Sequence, residues 1–262
     1  MLTDTHVHLD LPEYADDLSA VLTASCAAGV ARWIVPAVNA SAWPRLVQLH
    51  QQHRNLFYAL GLHPWFLADD DAAALRALAS WLERQPPGLV AVGECGLDSK
   101  VAVPMVRQWQ ALEQQVALAC QYHLPLILHS RGSHEPLLGM LRRRRPPAGG
   151  VLHGFSGSRQ QAEQFIELGF ALGIGGVITY PRAQKTRRAV AALPAQWLLL
   201  ETDGPTMPLA GYQGQRNTPA QVASVLAELA QLRQDDPPQL AKQIADNVVR
   251  IFPRLLIGPS AE

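Results

Sequence analysis

Eight short apolar segments, each followed by a stretch of helical periodicity, fill this chain almost from end to end. The strand-type segments lie at 2–8, 33–38, 56–62, 89–93, 124–128, 150–152, 170–173 and 197–200. They are short, largely apolar and bounded by Gly, Pro or polar turn residues. The segment 89–93 is apolar without alternation, the pattern of a strand covered on both faces in a parallel sheet. Helical periodicity marks 16–30, 43–53, 72–83, 105–122, 135–144, 158–168 and 183–192, and two closing helices are read at 219–231 and 238–251. Strand–helix alternation with short connections implies an all-parallel α/β sheet, and eight units of it imply a closed (β/α)8 TIM-like barrel. An open doubly wound sheet would favour a Gly-rich phosphate loop after the first strand, and none is present. No linker composition divides the 262 residues, so one barrel domain over 1–262 is expected, with closing helices at about 219–252.

The composition narrows the partners. Basic and acidic residues balance at 22 each, whereas a protein that grips long duplexes by counterion release usually carries a strong basic excess. An extended nucleic-acid groove is therefore not expected, while a small local site remains compatible. The three cysteines, Cys26, Cys95 and Cys120, show no pairing pattern, which suits a reducing compartment. There is no leader-type start and no run of 18 apolar residues, so a cytoplasmic protein without membrane contact, and a monomer, is the expectation.

The chemistry gathers at one end of the strands. In Asp4-Thr5-His6-Val7-His8 the two histidines alternate onto the same face, with ring tips close enough to grip one ion. Neutral imidazoles suit Zn, Mn, Fe or Co. Glu94, His129, His153 and Asp203 fall at later strand ends, on the face where barrel active sites are built. Two divalent ions about 3.5–4 Å apart need an anionic bridge. None of the three lysines ends a strand, so Glu94 is the bridging candidate, between an ion on the His6/His8 side and one held by His129 and His153. Asp203 is placed to ligate one ion and to accept a proton from the bridging water. His63, Arg131 and the Ser156-Gly157 turn offer donors to an anionic group, and Arg131 suits a phosphate bidentately. Trp65 and Phe155 are candidates for stacking on a base. His50, His53, His123 and His134 fall in helices or connections and read as surface residues. The run Arg142 to Arg145 ends a helix just before a strand, which puts it at the far end of the barrel as a solvated helix cap.

With these residues in hand, the chain resembles the TatD family of metal-dependent deoxyribonucleases in the amidohydrolase superfamily. The likeness is carried by Asp4-Thr5-His6-Val7-His8, Gly61-Leu62-His63-Pro64, Gly93-Glu94-Cys95-Gly96-Leu97-Asp98, Leu128-His129-Ser130-Arg131, His153-Gly154-Phe155-Ser156-Gly157 and Glu201-Thr202-Asp203-Gly204-Pro205. Gln215-Arg216-Asn217-Thr218-Pro219 extends it, and the run Ile174 to Lys185 looks like the YjjV-like subgroup. The resemblance implies a TIM-like barrel, two or more divalent ions (Zn, Mn or Mg) and phosphodiester hydrolysis, commonly of DNA or oligonucleotide ends. It implies His6, His8, Glu94, His129, His153 and Asp203 as ligands. Cys95 replaces the usual aliphatic residue, Gly204 the usual Ala, and Ser99-Lys100 the usual aromatic residues, the last altering a rim loop that bears on substrate preference. The expected reaction is hydrolysis by a hydroxide bridging the ions, with Glu94 and Asp203 as the catalytic carboxylates and His63, Arg131 and Ser156 as substrate contacts. The alternative is hydrolysis of a small amide, ester or cyclic amide. A metal-binding protein without catalysis fits less well, because both a bridge and an acid/base candidate are present.

Overall fold

Seven consecutive parallel pairings join the strands in sequence order, β1 to β8, each strand beside the next. The computed structural model describes residues 1–68 and 71–256. The strands are β1 (Leu2–Asp4), β2 (Val30–Pro36), β3 (Leu56–Leu60), β4 (Leu89–Asp98), β5 (Leu126–Arg131), β6 (Gly150–Leu152), β7 (Phe170–Ile174) and β8 (Leu198–Leu200). The ring closes where Thr5 N donates to Leu200 O at 2.9 Å and Asp203 N donates to His6 O at 2.9 Å. This is the (β/α)8 TIM-like barrel that the alternation implies.

The intervening helices are α1 (Leu18–Ala27), α2 (Trp43–Gln52), α3 (Asp71–Arg84), α4 (Met105–Tyr122), α5 (His134–Arg144), α6 (Arg159–Glu167) and α7 (Gln184–Ala192). Two more, α8 (Val222–Arg233) and α9 (Pro237–Ile251), close the chain. Local chemistry sets several starts. Ser158 and Gln161 form a reciprocal capping box at α6, satisfying donors that a first helical turn leaves open. Asp236 caps α9 by accepting from Gln239 N at 3.2 Å, with Pro237 and Pro238 opening the helix where a missing N–H costs nothing.

Alternation within the strands divides the core into two layers. Trp33, Val35, Tyr58 and Leu60 face outward into the large cluster beneath the helices. Ile34, Ala59, Ile127, Val151, Ala171 and Leu199 face inward and form a second cluster with Val248, Ile251, Phe252 and Leu255. That C-terminal segment closes the end of the barrel opposite the histidines, where Arg254 also reaches Gln85 at 2.6 Å. One end of the barrel is thus filled with apolar side chains, and the other is left for polar ones.

Two boundaries differ from the sequence reading in ways that matter for the site. The ladder of β1 ends at Asp4, so His6 and His8 lie just beyond regular pairing, held instead by bonds such as His8 N to Gly204 O at 2.8 Å. β4 runs past Gly93 to Asp98 and carries an irregularity: Val92 pairs with Leu126, but the next partners are Cys95 and Leu128. Three steps on β4 therefore oppose two on β5. A bulge of this kind re-aims a side chain, and here it turns Glu94 toward the barrel axis.

Candidate metal centre

Glu94 is the hub of the polar end. It is 1% exposed, and four imidazole nitrogens surround its carboxylate: His6 Nε2 at 3.0 Å from Oε2, and His153 Nε2 at 2.8 Å, His129 Nδ1 at 3.1 Å and His63 Nε2 at 3.2 Å from Oε1. His8 Nε2 lies 3.6 Å from Oε2. Asp203 Oδ1 completes the ring at 3.7 Å from His6 Nε2 and 3.6 Å from His8 Nε2. Donor sets close enough to share one ion are His6/His8/Asp203, His6/Glu94/His153 and His63/Glu94/His129. All six residues singled out as ligands in the sequence come together here, brought in from β1, β4, β5, β6 and β8.

The proton positions show that the set fits cations. His8 Nδ1 faces Pro36 O at 3.2 Å, so its neutral ring carries the proton there and turns the Nε2 lone pair inward. His6 Nε2 meets His8 Nε2 at 3.3 Å. Two acceptor nitrogens that converge, next to two carboxylates, make a poor hydrogen-bond arrangement and a good cation cradle. Among the described residues His6 Nδ1 and His153 Nδ1 are buried without hydrogen-bond partners, so hydrogen bonds hold each ring from its Nε2 side alone.

His63 differs from its neighbours. Its Nδ1 accepts from Trp65 N at 3.1 Å, which places the ring proton on Nε2, and that N–H donates to Glu94 Oε1. His63 is therefore arranged as a donor, in keeping with the anion-contact role read from the sequence. Arg131, at the end of β5, is exposed, and its guanidinium has no partner among the described residues. Ser156 is exposed, with its hydroxyl 3.4 Å from Thr186 Oγ1. Trp65 is 46% exposed beside the site, whereas Phe155 is fully buried and packs in the core. Phe155 offers no face to a base. His50 is buried too, with Nδ1 on Leu56 O at 2.7 Å, and His134 pairs with Ser130 Oγ at 2.8 Å, so neither is the surface residue that its position in a helix suggests.

The electrostatics follow from burial and crowding. Burial alone works to raise Glu94, but His153, His63 and His6 outweigh it and hold the carboxyl well below its usual range. Burial lowers His8, yet Asp203 and Glu94 reverse the effect and push it up to about 9. Asp203 is likewise held low by His8 and His6 despite its burial. Against burial of the rings, the carboxylates raise His8, His129 and His153, while burial outweighs them at His6 and His63 and lowers both.

Three supporting carboxylates escape the sequence reading. Asp4 Oδ1 accepts from His6 N at 3.2 Å and Thr202 N at 3.1 Å, and its Oδ2 accepts from Thr202 Oγ1 at 2.5 Å, tying the ends of β1 and β8 together. Glu201 accepts from Gly154 N at 2.5 Å and lies 3.8 Å from His153 Nδ1. Asp98 accepts from His129 Nε2 at 2.9 Å. The segment Arg216-Asn217 is architectural: Asn217 Nδ2 donates to Thr202 O at 2.9 Å and Met207 O at 3.0 Å, and Tyr14 Oη donates to Asn217 O at 2.5 Å. At the opposite end, Arg142 bonds Gln164 and Arg144 lies 3.8 Å from Glu113, so the arginine run sits away from the histidines.

Comparison with known proteins agrees with this geometry. The TatD related DNase family model matches residues 3–253. The metal-dependent hydrolase YjjV of Escherichia coli is 47% identical over 250 residues, covering 95% of this chain and 96% of its own. Its crystal structure superposes with a TM-score of 0.92 at 46% identity, over 96% of this chain and 98% of that one. The 3'-5' ssDNA/RNA exonuclease TatD of Erwinia tasmaniensis is 33% identical, over 95% of this chain and 98% of its own. A match along nearly the whole chain, with the motif residues gathered at one rim, leaves one assignment: the chain belongs to the TatD-related DNase family of metal-dependent hydrolases.

Proposed function

We propose that the protein hydrolyses phosphodiester bonds at the ends of single-stranded nucleic acid, using at least two divalent ions. The observation that carries this reading is Glu94, a buried carboxylate ringed by four imidazole nitrogens at 2.8–3.2 Å with Asp203 across the mouth. His6, His8 and Asp203 would hold one ion, His129 and His153 a second, and Glu94 lies between the two groups. Divalent ions so held acidify water toward neutrality and offset the charge that builds on a phosphate under attack.

The rest of the chemistry belongs to side chains. Asp203 is 24% exposed, against 2% for Glu94, so it is the central carboxylate that meets incoming water. With Oδ1 turned to His6 and His8, its other oxygen, Oδ2, orients the attacking water and takes its proton. Arg131 holds the phosphate by its unpaired guanidinium, and His63, whose Nε2–H donates to Glu94 Oε1 in the free site, would share that donor with the phosphate. Ser156 adds a hydroxyl at the rim. Trp65 and Phe66, 46% and 51% exposed, supply an aromatic platform on the β3 side of the mouth.

A single-strand end suits the balance of 22 basic and 22 acidic residues, because one phosphate held by two or three donors needs no long basic groove. The Erwinia relative, a 3'-5' ssDNA/RNA exonuclease, points the same way. All candidate donors come from one chain, so a monomer suffices. No helix of the described residues is long and apolar enough to cross a membrane, and the three cysteines are all free, which supports action in the reducing cytoplasm.

The test is turnover of end-labelled single-stranded DNA and RNA by metal-stripped protein resupplied with Mg, Mn or Zn, beside duplexes and a panel of amides, esters and lactones. Metal-dependent shortening of the single strands is the expected result. Turnover of an amide or lactone with the oligonucleotides intact would replace the substrate class.

A further inference from the structure

Asp98 closes the Gly93–Asp98 motif, is fully buried, and has no place among the ion-facing atoms. Its two oxygens are divided between two tasks. Oδ1 accepts from Lys100 N at 2.7 Å and shapes the turn that follows β4. Oδ2 accepts from two side chains, His129 Nε2 at 2.9 Å and Trp65 Nε1 at 2.6 Å. The backbone of Asp98 is clamped as well: its N–H donates to Gln108 Oε1 at 2.7 Å, and its carbonyl accepts from Gln108 Nε2 at 3.0 Å. The carboxylate is thus fixed in space, and it holds in place what bonds to it.

We propose that Asp98 is a positioning residue that fixes His129 for ion binding through Nδ1, and that it ties the rim residue Trp65 to the same ion. The proposal rests on the metal-centre reading above. A neutral imidazole has one proton and two nitrogens, and the nitrogen holding the proton cannot ligate. With Nε2–H donated to Asp98, the Nδ1 lone pair of His129 points at the space between Glu94 Oε1 (3.1 Å) and His153 Nε2 (3.2 Å). Removing the acceptor frees the proton to move to Nδ1 and the ring to turn. Carboxylate partners of this kind hold both the tautomer and the orientation of ligating histidines.

Trp65 enters through the same oxygen. Its indole N–H is the second donor to Oδ2, while its backbone N–H sets the tautomer of His63. Its ring is half in solvent and its centroid lies 6.4 Å from that of His129. A base resting on this ring therefore presses on a side chain that shares a carboxylate oxygen with an ion ligand. This links the aromatic platform to the centre through two hydrogen bonds.

Asp98→Asn keeps the shape but leaves one oxygen for three N–H donors, those of Lys100, His129 and Trp65. Calorimetric titration of metal-stripped protein with Mn(II) measures the steps directly, and the visible spectrum of the Co(II) form reports the coordination of each ion. The expected result is that one binding step weakens by roughly 10–100-fold while the other stays within about twofold. The metal-free unfolding midpoint should stay within a few degrees, and the Co(II) bands of one ion should shift. Trp65→Phe keeps an aromatic ring but removes the indole N–H together with its five-membered ring, at a position 46% exposed where the fold tolerates the loss; it should weaken the same step severalfold. Unchanged affinity for both ions in Asp98→Asn would overturn the proposal. So would equal weakening of both steps together with a fall in the metal-free midpoint, since that is the signature of a purely structural residue. A parent protein that binds no ion would instead overturn the metal-centre reading itself, and this proposal with it.

Discussion

Replacing Glu94 by Gln removes one charge and almost no volume from the centre. The carboxylate is 1% exposed and contacts imidazoles of His6, His63, His129 and His153 at 2.8–3.2 Å, so nothing from solvent can substitute for it. At an effective dielectric of about 20, unit charges 4 Å apart interact by roughly 4 kcal/mol, and a divalent ion doubles that. Part of the gain offsets the cost of burying the carboxylate. The balance for breaking a buried charge pairing is about 3–5 kcal/mol, which corresponds to roughly 10²–10⁴-fold in ion affinity. The two groups of donors do not suffer alike. His6, His8 and Asp203 retain a carboxylate of their own, whereas His129 and His153 are left as neutral imidazoles beside an amide. One ion should therefore be lost and one kept. Elemental analysis after dialysis against micromolar metal, with circular dichroism on the same sample, reads this directly. The expected outcome is a folded protein holding about one ion fewer than the parent, with most of its turnover gone. Full metal occupancy with parental turnover would refute the bridging role and the charge argument behind it.

Asp203→Asn retains one ligand oxygen and the ring of histidines, so the metals should mostly stay while kcat falls by at least about a hundredfold and KM changes little; metal loss would make Asp203 chiefly a ligand. Replacing Arg142, Arg143, Arg144 and Arg145 together by Gln should leave kcat/KM for oligonucleotides within about threefold at moderate salt, at a stability cost of about 0.3–1 kcal/mol per favourable helix-end charge. A hundredfold fall would place that helix end on the substrate path. Gly96 has φ +156°, and a Cβ there would meet His129 O at 1.9 Å. Gly96→Ala should thus destabilise by about 3 kcal/mol and displace His129, which denaturant titration with and without metal will separate. The metal-free His8 is raised to about 9, so ion binding near neutral pH must expel its proton. Each such proton makes affinity rise about tenfold per pH unit up to about pH 9 and then level off, and proton release into weak buffer on adding Zn(II) gives the count.

The readable parts of this sequence are those in which one physical signal acts alone. α4 is an amphipathic helix that buries Ala111, Leu112, Val116 and Ala119 on one face, and its ends coincide with the periodicity at Met105 and Tyr122. His6 and His8 meet as strand alternation implies even though the regular ladder stops at Asp4, with backbone bonds from Thr5, Val7 and His8 to Leu200, Ile34 and Gly204 holding the segment. β4 is different. Every residue from Leu89 to Asp98 is buried, so no polar alternation marks where it ends, and the bulge shifts the phase just before Glu94. That shift also explains why the supporting groups stay hidden. Five carboxylates gather here: Asp4, Glu94, Asp98, Glu201 and Asp203. As letters they are alike, each within or just after a strand and each within a few residues of a histidine or another carboxylate. Register and distance decide their work. The bulge sends Glu94 inward to the imidazoles, and Asp98, four residues on, reaches the far nitrogen of His129. Glu201 turns to Gly154 N beside His153, while Asp203, at φ +55°, swings its oxygen to the open mouth. Composition and spacing reveal a site that collects negative charge around histidines. Whether a carboxylate on β4 faces the imidazoles or backs His129 depends on a one-residue bulge in its ladder, and only the folded chain displays that.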